Sequence, residues 1–224
     1  MGLGGGAGGD SQGTGGGGSS GATSAPTPAA LLGAPLIFTP TGDGFGLNVA
    51  LREGDPQVLR AVIFDDAHPQ GRDLGAPISP APDLAQWSAD MLDPGRRYRY
   101  EIRTTWQGQE RSLFAGSAVT ARTPGVAFTF AVMTDPHIIP RDPVLPGLTV
   151  GGDFFGFDES TLLAIADDIM AADPDFVVNM GDTMDLHQFG FNPPPPNGNW
   201  TRLAYLNYRR MFADTLGHLA HFQA

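Results

Sequence analysis

The chain contains no cysteine. That excludes disulfide bonds, thiol nucleophiles and any zinc site built on thiolates. Positive charge is also scarce: 13 Lys and Arg stand against 24 Asp and Glu, giving a net charge of −11 and a pI near 4.6. Nucleic acid and anionic membranes both select clustered basic residues, so neither is expected as a partner. An acidic protein still binds phosphate esters if metal ions supply the local positive charge. No apolar run reaches the roughly 18–20 residues that a membrane-spanning helix needs. The N-terminus lacks the basic start and apolar centre of a signal peptide. Its glycine runs are followed by no Gly-Lys-(Ser/Thr) and preceded by no strand, which excludes a phosphate-binding loop.

Glycine and proline are abundant instead, at 31 and 20 of 224 residues, and they concentrate in tails and loops. Residues 1–32 are rich in Gly, Ser, Thr, Ala and Pro, a linker composition with too little apolar surface to fold, and disorder is expected there. Such a tail suits a tethered, exported domain, so an extracytoplasmic location (periplasmic, secreted or envelope-bound) is expected. The length allows one to two domains.

Residues 33–124 read as an all-β module. Strands are expected at Leu36–Thr39, Gly46–Arg52, Leu59–Phe64, Trp87–Met91, Arg97–Thr105 and Arg111–Thr120. Turn clusters separate them, among them Thr41-Gly-Asp-Gly44, Glu53-Gly-Asp-Pro56 and Asp93-Pro-Gly95. Short strands at regular spacing between turn signals suggest a β-sandwich. Tyr98, Tyr100 and Ile102 alternate onto one face after the Asp93-Pro-Gly95 turn. That segment resembles the strand entry of fibronectin type III-like domains, with Tyr98 as the corner tyrosine. The module is expected to act as a spacer rather than a docking unit. A Pro/Gly break at Ala121-Arg-Thr-Pro-Gly125 sets the expected boundary.

The remainder, 125–224, holds the chemistry. An apolar run, Phe128 to Thr134, delivers Asp135-Pro136-His137. A second run, Phe176 to Met180, delivers Gly181-Asp182. Between them Leu162, Ile165, Ile169 and Met170 recur at helical spacing, after a carboxylate-rich start at Asp158-Glu-Ser160 and before a stop at Asp173-Pro-Asp175. This is a βαβ pattern. In a parallel sheet both runs end at one edge, where open α/β sheets place their ligands. Asp-x-His alone, or Gly-Asp alone, is ordinary loop chemistry. Together they bring two carboxylates and an imidazole to one edge, a donor set suited to a hard or borderline divalent ion. Gly181 is expected to let the backbone approach such ions without a Cβ. Asn179 reads as structural, and His187 as a solvated loop residue. From Thr201 onward a helix is expected, with Tyr205, Tyr208, Phe212, Leu216 and Leu219 on one face, His218 and His221 together at its surface, and no further strand.

Asp-x-His after one strand and Gly-Asp after the next resemble the first two motifs of the calcineurin-like metallophosphoesterases. The resemblance covers residues 127–224 and implies a dinuclear centre, of Mn, Fe or Zn, acting on a small phosphoester. It makes Asp135 and His137 terminal metal ligands and Asp182 the bridge. It also implies an α/β catalytic domain, an incomplete metallophosphoesterase β-sandwich with flanking helices, following the fibronectin III-like sandwich. The later Gly-Asn-His-(Asp/Glu) and His-bearing motifs of that family are absent from the sequence. The purple acid phosphatases have a similar domain order but carry a metal-binding Tyr three residues after the bridge, where Asp185 stands here, and Gly where His137 stands. The chain is therefore expected to carry the opening portion of such an enzyme, to be inactive alone and to aggregate. A non-catalytic surface or binding module with a degenerate phosphoesterase portion is the alternative.

Overall fold

A computed structural model describes residues 31–51, 58–81, 83–106, 108–136, 159–181, 183 and 199–223. The expectations placed on residues 1–30, on His137 and the loop after it, and on Asp182, Asp185, His187 and the proline run 193–196 lie outside the described residues.

Eleven strands and three helices are described. The strands are β1 (Leu36–Thr41), β2 (Gly44–Ala50), β3 (Leu59–Phe64), β4 (Arg72–Asp73), β5 (Ile78–Ala81), β6 (Leu84–Ala89), β7 (Arg97–Trp106), β8 (Gln109–Val119), β9 (Phe130–Met133), β10 (Phe176–Asn179) and β11 (Ala220–Gln223). The helices are α1 (Glu159–Ala171), α2 (Asn199–Met211) and α3 (Ala213–Leu216). The fold is β-rich. A seven-stranded sheet runs β5-β6-β2-β1-β11-β10-β9, and a four-stranded sheet runs β4-β3-β7-β8.

The two sheets face each other over residues 33–124. Ile37, Leu47, Val49 and Trp87 of the large sheet meet Leu59, Ile63, Tyr100 and Ile102 of the small one in a continuous core. Strict alternation along these strands puts every second side chain into that layer. The expected strands are present, with ends moved by a few residues, and short β4 and β5 are additions that the turn signals concealed. Tyr98 is buried, and its hydroxyl accepts the Asp93 N–H at 2.7 Å. That bond closes the Asp93-Pro-Gly95 turn onto β7, as a corner tyrosine does.

The sequence pointed to a helix running to the C-terminus with no strand after it. The structure differs. The helical stretch breaks at Phe212 into α2 and α3, and Ala220–Gln223 then forms β11. This strand lies between β1 and β10 and is parallel to both, with Ala220 opposite Ile37 on one side and Phe176 on the other. The expected two-strand parallel sheet is thus a trio, β9-β10-β11, joined edge-on to the sandwich. His218 and His221 accordingly share no helix face: His218 sits in the turn before β11, and His221 is on the strand. Four residues are too few to show a period, which is why β11 was illegible.

Helices α1 to α3 cover one face of this trio. Leu162, Ala166 and Ile169 of α1 pack with Met133, Val177, Tyr208, Phe212, Leu216 and Leu219. One buried cation ties α2 to the sandwich. Arg209, 1% exposed, donates Nε to the Ala34 carbonyl at 2.9 Å, Nη1 to Asn48 Oδ1 at 2.9 Å and Nη2 to the Asn48 carbonyl at 2.8 Å. Burial lowers its pKa to about 10, so it stays charged at neutral pH. A second tie is the turn after α3, where the Gly217 carbonyl accepts from the Tyr100 hydroxyl at 2.9 Å and the Ser117 N–H at 3.1 Å. Gly116 permits that approach, since a Cβ there would stand 2.1 Å from the same oxygen.

The other face of the trio is open. Phe128, Phe130, Val132 and Phe222 are exposed, and the three phenylalanine rings cluster about Phe176, Phe130 stacking on it at 5.4 Å and Phe222 meeting it edge-on at 5.3 Å. A groove of about 490 Å³ runs between this face and residues 119–126. On the same face nearer β1, Ile37 and Ala220 are buried in the core between the sheets, with Phe176 packed at its margin.

Candidate metal centre

Strands β9 and β10 run parallel in the register Phe130–Phe176 through Met133–Asn179. Their ladder continues beyond the strands. Met180 N–H donates to the Met133 carbonyl at 2.9 Å, and Asp135 N–H donates to the Gly181 carbonyl at 3.2 Å. The first motif's carboxylate residue and the second motif's glycine are therefore laced together by backbone at the carboxyl end of the sheet. The sequence had placed both motif ends at this edge.

Both residues hold unusual backbone. Asp135 has φ +52°, and Gly181 has φ +111°. Asp tolerates the left-handed region because its short polar side chain can bond locally, and Thr134 Oγ1 donates to its carboxylate here. At 181 the backbone conformation itself calls for glycine. A Cβ at Gly181 would meet nothing within 4 Å among the described residues, and its φ lies in the region that favours glycine. Of the expected donors the structure describes Asp135, half-buried at the strand end; His137 and Asp182 lie outside the described residues. Among the described residues no three His, Asp or Glu side chains gather as a metal group. The donor set as a kind, two carboxylates and an imidazole, fits a hard or borderline divalent ion.

Beneath this edge lies a buried polar cluster that sequence reasoning missed, apart from reading Asn179 as structural. Asn179 and Thr183 are 1% and 3% exposed. Asn179 Oδ1 accepts the Gly181 N–H at 3.2 Å, and Nδ2 donates to Thr183 Oγ1 at 2.8 Å. Gln223 Nε2, from β11, donates to the same Thr183 oxygen at 2.9 Å. Tyr208 on α2 lies alongside; burial pushes its phenol up, and an Asn179 side-chain hydrogen bond offsets part of that. The Tyr208 hydroxyl is 2.8 Å from His221 Nδ1. His221 Nε2 is sealed from solvent with no partner among the described residues, and burial drives the imidazole down to about 3. The residue as a whole is partly exposed, yet Nε2 is buried and the lowered pKa keeps the ring neutral. The signal for Asn179 was present: an Asn two residues before Gly is Asx-turn chemistry. Nothing in the sequence pointed to His221.

A third feature secures the approach to β9. Burial works to raise the Asp175 carboxyl, but the Arg122 guanidinium and the Thr129 N–H hold it below its ordinary value. Arg122 donates Nε and Nη2 to Asp175 Oδ1 at 2.9 and 2.7 Å, and Thr129 N–H donates to Oδ2 at 2.9 Å. The residues before β9 are clamped to the start of β10.

The described fold is similar to that of the purple acid phosphatase PPD1 from yellow lupin (Lupinus luteus) seeds. The TM-score is 0.56 at 12% identity, over 86% of this chain and 35% of that one. The likeness is one of fold. Purple acid phosphatases are metallophosphoesterases, and this chain spans 35% of that enzyme's length. Fibronectin type III domains also match, among them one from human fibronectin type III domain containing protein 3, at a TM-score of 0.32 and 13% identity, covering 47% of this chain and 95% of that one. No family model and no curated protein matches the sequence. No helix of the described residues is long and apolar enough to cross a membrane.

Proposed function

We propose that this chain carries the first two metal-binding motifs of a phosphoester hydrolase, with Asp135 and His137 as terminal ligands, Asp182 as the bridge, and an α/β catalytic domain following a fibronectin III-like sandwich. One observation carries the reading: the Asp135 N–H to Gly181 carbonyl bond, which brings the two motif ends together at the carboxyl edge of parallel strands. The fold likeness to a purple acid phosphatase supports it. Metal bound there would supply positive charge for a phosphate and lower the pKa of bound water. The chain's own part is to present carboxylate oxygen and neutral imidazole from the ends of strands fixed by the sheet. The substrate is a small phosphoester. The tether-like composition of residues 1–32 is what supports an extracytoplasmic location.

A non-catalytic binding module is the second reading, favoured by the open aromatic face of β9, β10 and β11. Thermal unfolding with and without Mn²⁺, Fe²⁺ or Zn²⁺ separates the two. A metal-dependent rise in Tm that Asp135→Ala removes supports the metal reading. Identical Tm values with and without all three ions, in the unsubstituted chain, would leave the binding module standing.

A further inference from the structure

We propose that the cleft between α2 and the outer face of β1, β2 and β6 binds a small organic monocarboxylate, its apolar body on Leu36, Phe38, Leu84 and Leu206 and its carboxylate on Arg209. The inference is independent of the metal reading and concerns a different part of the chain.

Strand alternation builds the cleft. Ile37, Leu47, Val49, Ala85 and Trp87 point into the core between the sheets, so their neighbours along each strand point the opposite way. Leu36 stands across from Asn48, Asn48 from Gln86 and Ala50 from Leu84, which puts these side chains on one outward face. Tyr205, Leu206 and Arg209 of α2 close over part of that face. What remains is a cleft of about 490 Å³, within the range of about 300–1,000 Å³ usual for small-ligand sites. The ring of Phe38 lies over Gly46, where a Cβ would clash with it, so glycine at 46 sets where this wall stands.

Charge decides the occupant. Arg209 lines the cleft and is 1% exposed. Its guanidinium gives three hydrogen bonds to neutral acceptors, the Ala34 and Asn48 carbonyls and Asn48 Oδ1. The rest of the fork has no hydrogen-bond partner among the described residues. Besides burial, the groups that act on its charge are two phenols, Tyr205 and Tyr100, and no carboxylate is among them. Buried charges are ordinarily paired. A carboxylate entering the cleft gains charge-assisted hydrogen bonds to a cation that is already desolvated and already held still by three bonds. Asp83 lines the same cleft and has a partner of its own. Its charge disfavours a dianion such as phosphate, and the apolar wall disfavours an anion without a hydrocarbon body.

The test titrates the full chain with phenylacetate, with its uncharged counterpart phenylacetamide and with inorganic phosphate. Backbone amide shifts at Leu84, Gln86 and Leu206 report the cleft, and Tm reports binding to the folded state. Phenylacetate is expected to give saturable shifts there and to raise Tm, with the amide about tenfold weaker and phosphate without effect. Gln86→Glu, which adds a carboxylate at the partly exposed wall, should weaken phenylacetate about tenfold and leave the amide unchanged. Asp83→Asn should tighten phenylacetate, and this variant carries the test if Gln86→Glu does not fold. Equal binding of phenylacetate and phenylacetamide overturns the proposal by leaving an apolar cleft without a role for the cation. Phenylacetate shifts that are absent at tens of millimolar, or that fall away from these residues, also overturn it and leave Arg209 a structural tie only.

Discussion

Acid should destabilise this protein through one histidine. His221 is neutral in the fold because burial lowers its pKa from 6.5 to about 3, with its Nδ1 on the Tyr208 hydroxyl and its Nε2 sealed off. In the unfolded chain it protonates near 6.5. The unfolded state therefore binds the extra proton between these values, and stability falls as pH drops from about 6.5 toward 3. Linkage gives a loss of about 2 kcal/mol from this group between pH 6.5 and 4.5. Against a total of about 5–15 kcal/mol for a folded domain, that is a visible share. The assay is urea unfolding followed by tryptophan fluorescence at several pH values, on the parent chain and on His221→Asn. The Asn amide can keep a partner for Tyr208 and does not titrate. Its stability should fall less with acid, by that same difference, although the substitution itself has some cost at pH 7. Parallel pH profiles for the two proteins would refute the claim that His221 is buried neutral.

Two further outcomes follow from the same structure. Asp175 has its pKa lowered in the fold, so its contribution is present above the unfolded value of 3.8 and disappears as pH falls through the lower folded value. Asp175→Asn should cost about 1–2 kcal/mol at pH 7, after discounting for the exposed Arg122 partner, and less at pH 3, read from Tm at both pH values. Phe130 is 51% exposed on the open aromatic face. Phe130→Asp should reduce dye binding and light scattering by the purified chain while changing unfolding free energy by less than about 1 kcal/mol; undiminished aggregation would show that another surface is responsible.

Much of the architecture was written in the sequence, because its cause is local. Alternation fixes which side chains of β2, β3 and β7 can enter a common layer. Turn chemistry at Asp93-Pro-Gly95 places Tyr98 at a corner, and the 3.6-residue spacing of Leu162, Ile165 and Ile169 makes α1. The order of strand, Asp135, helix, strand, Gly181 likewise sets two motifs at one sheet edge, once the strands are parallel. What the tertiary structure decided depends on covering surfaces that lie far away in the chain. β11 is a strand because β1 and β10 leave a gap that its backbone fills, not because Ala-His-Phe-Gln has a pattern of its own. Arg209 is buried because Ala34 and Asn48, over 160 residues earlier, offer it three acceptors. His221 and Asn179 became interior groups only when α2 closed over the sheet, and solvent exclusion, which no local window encodes, gave each its chemistry.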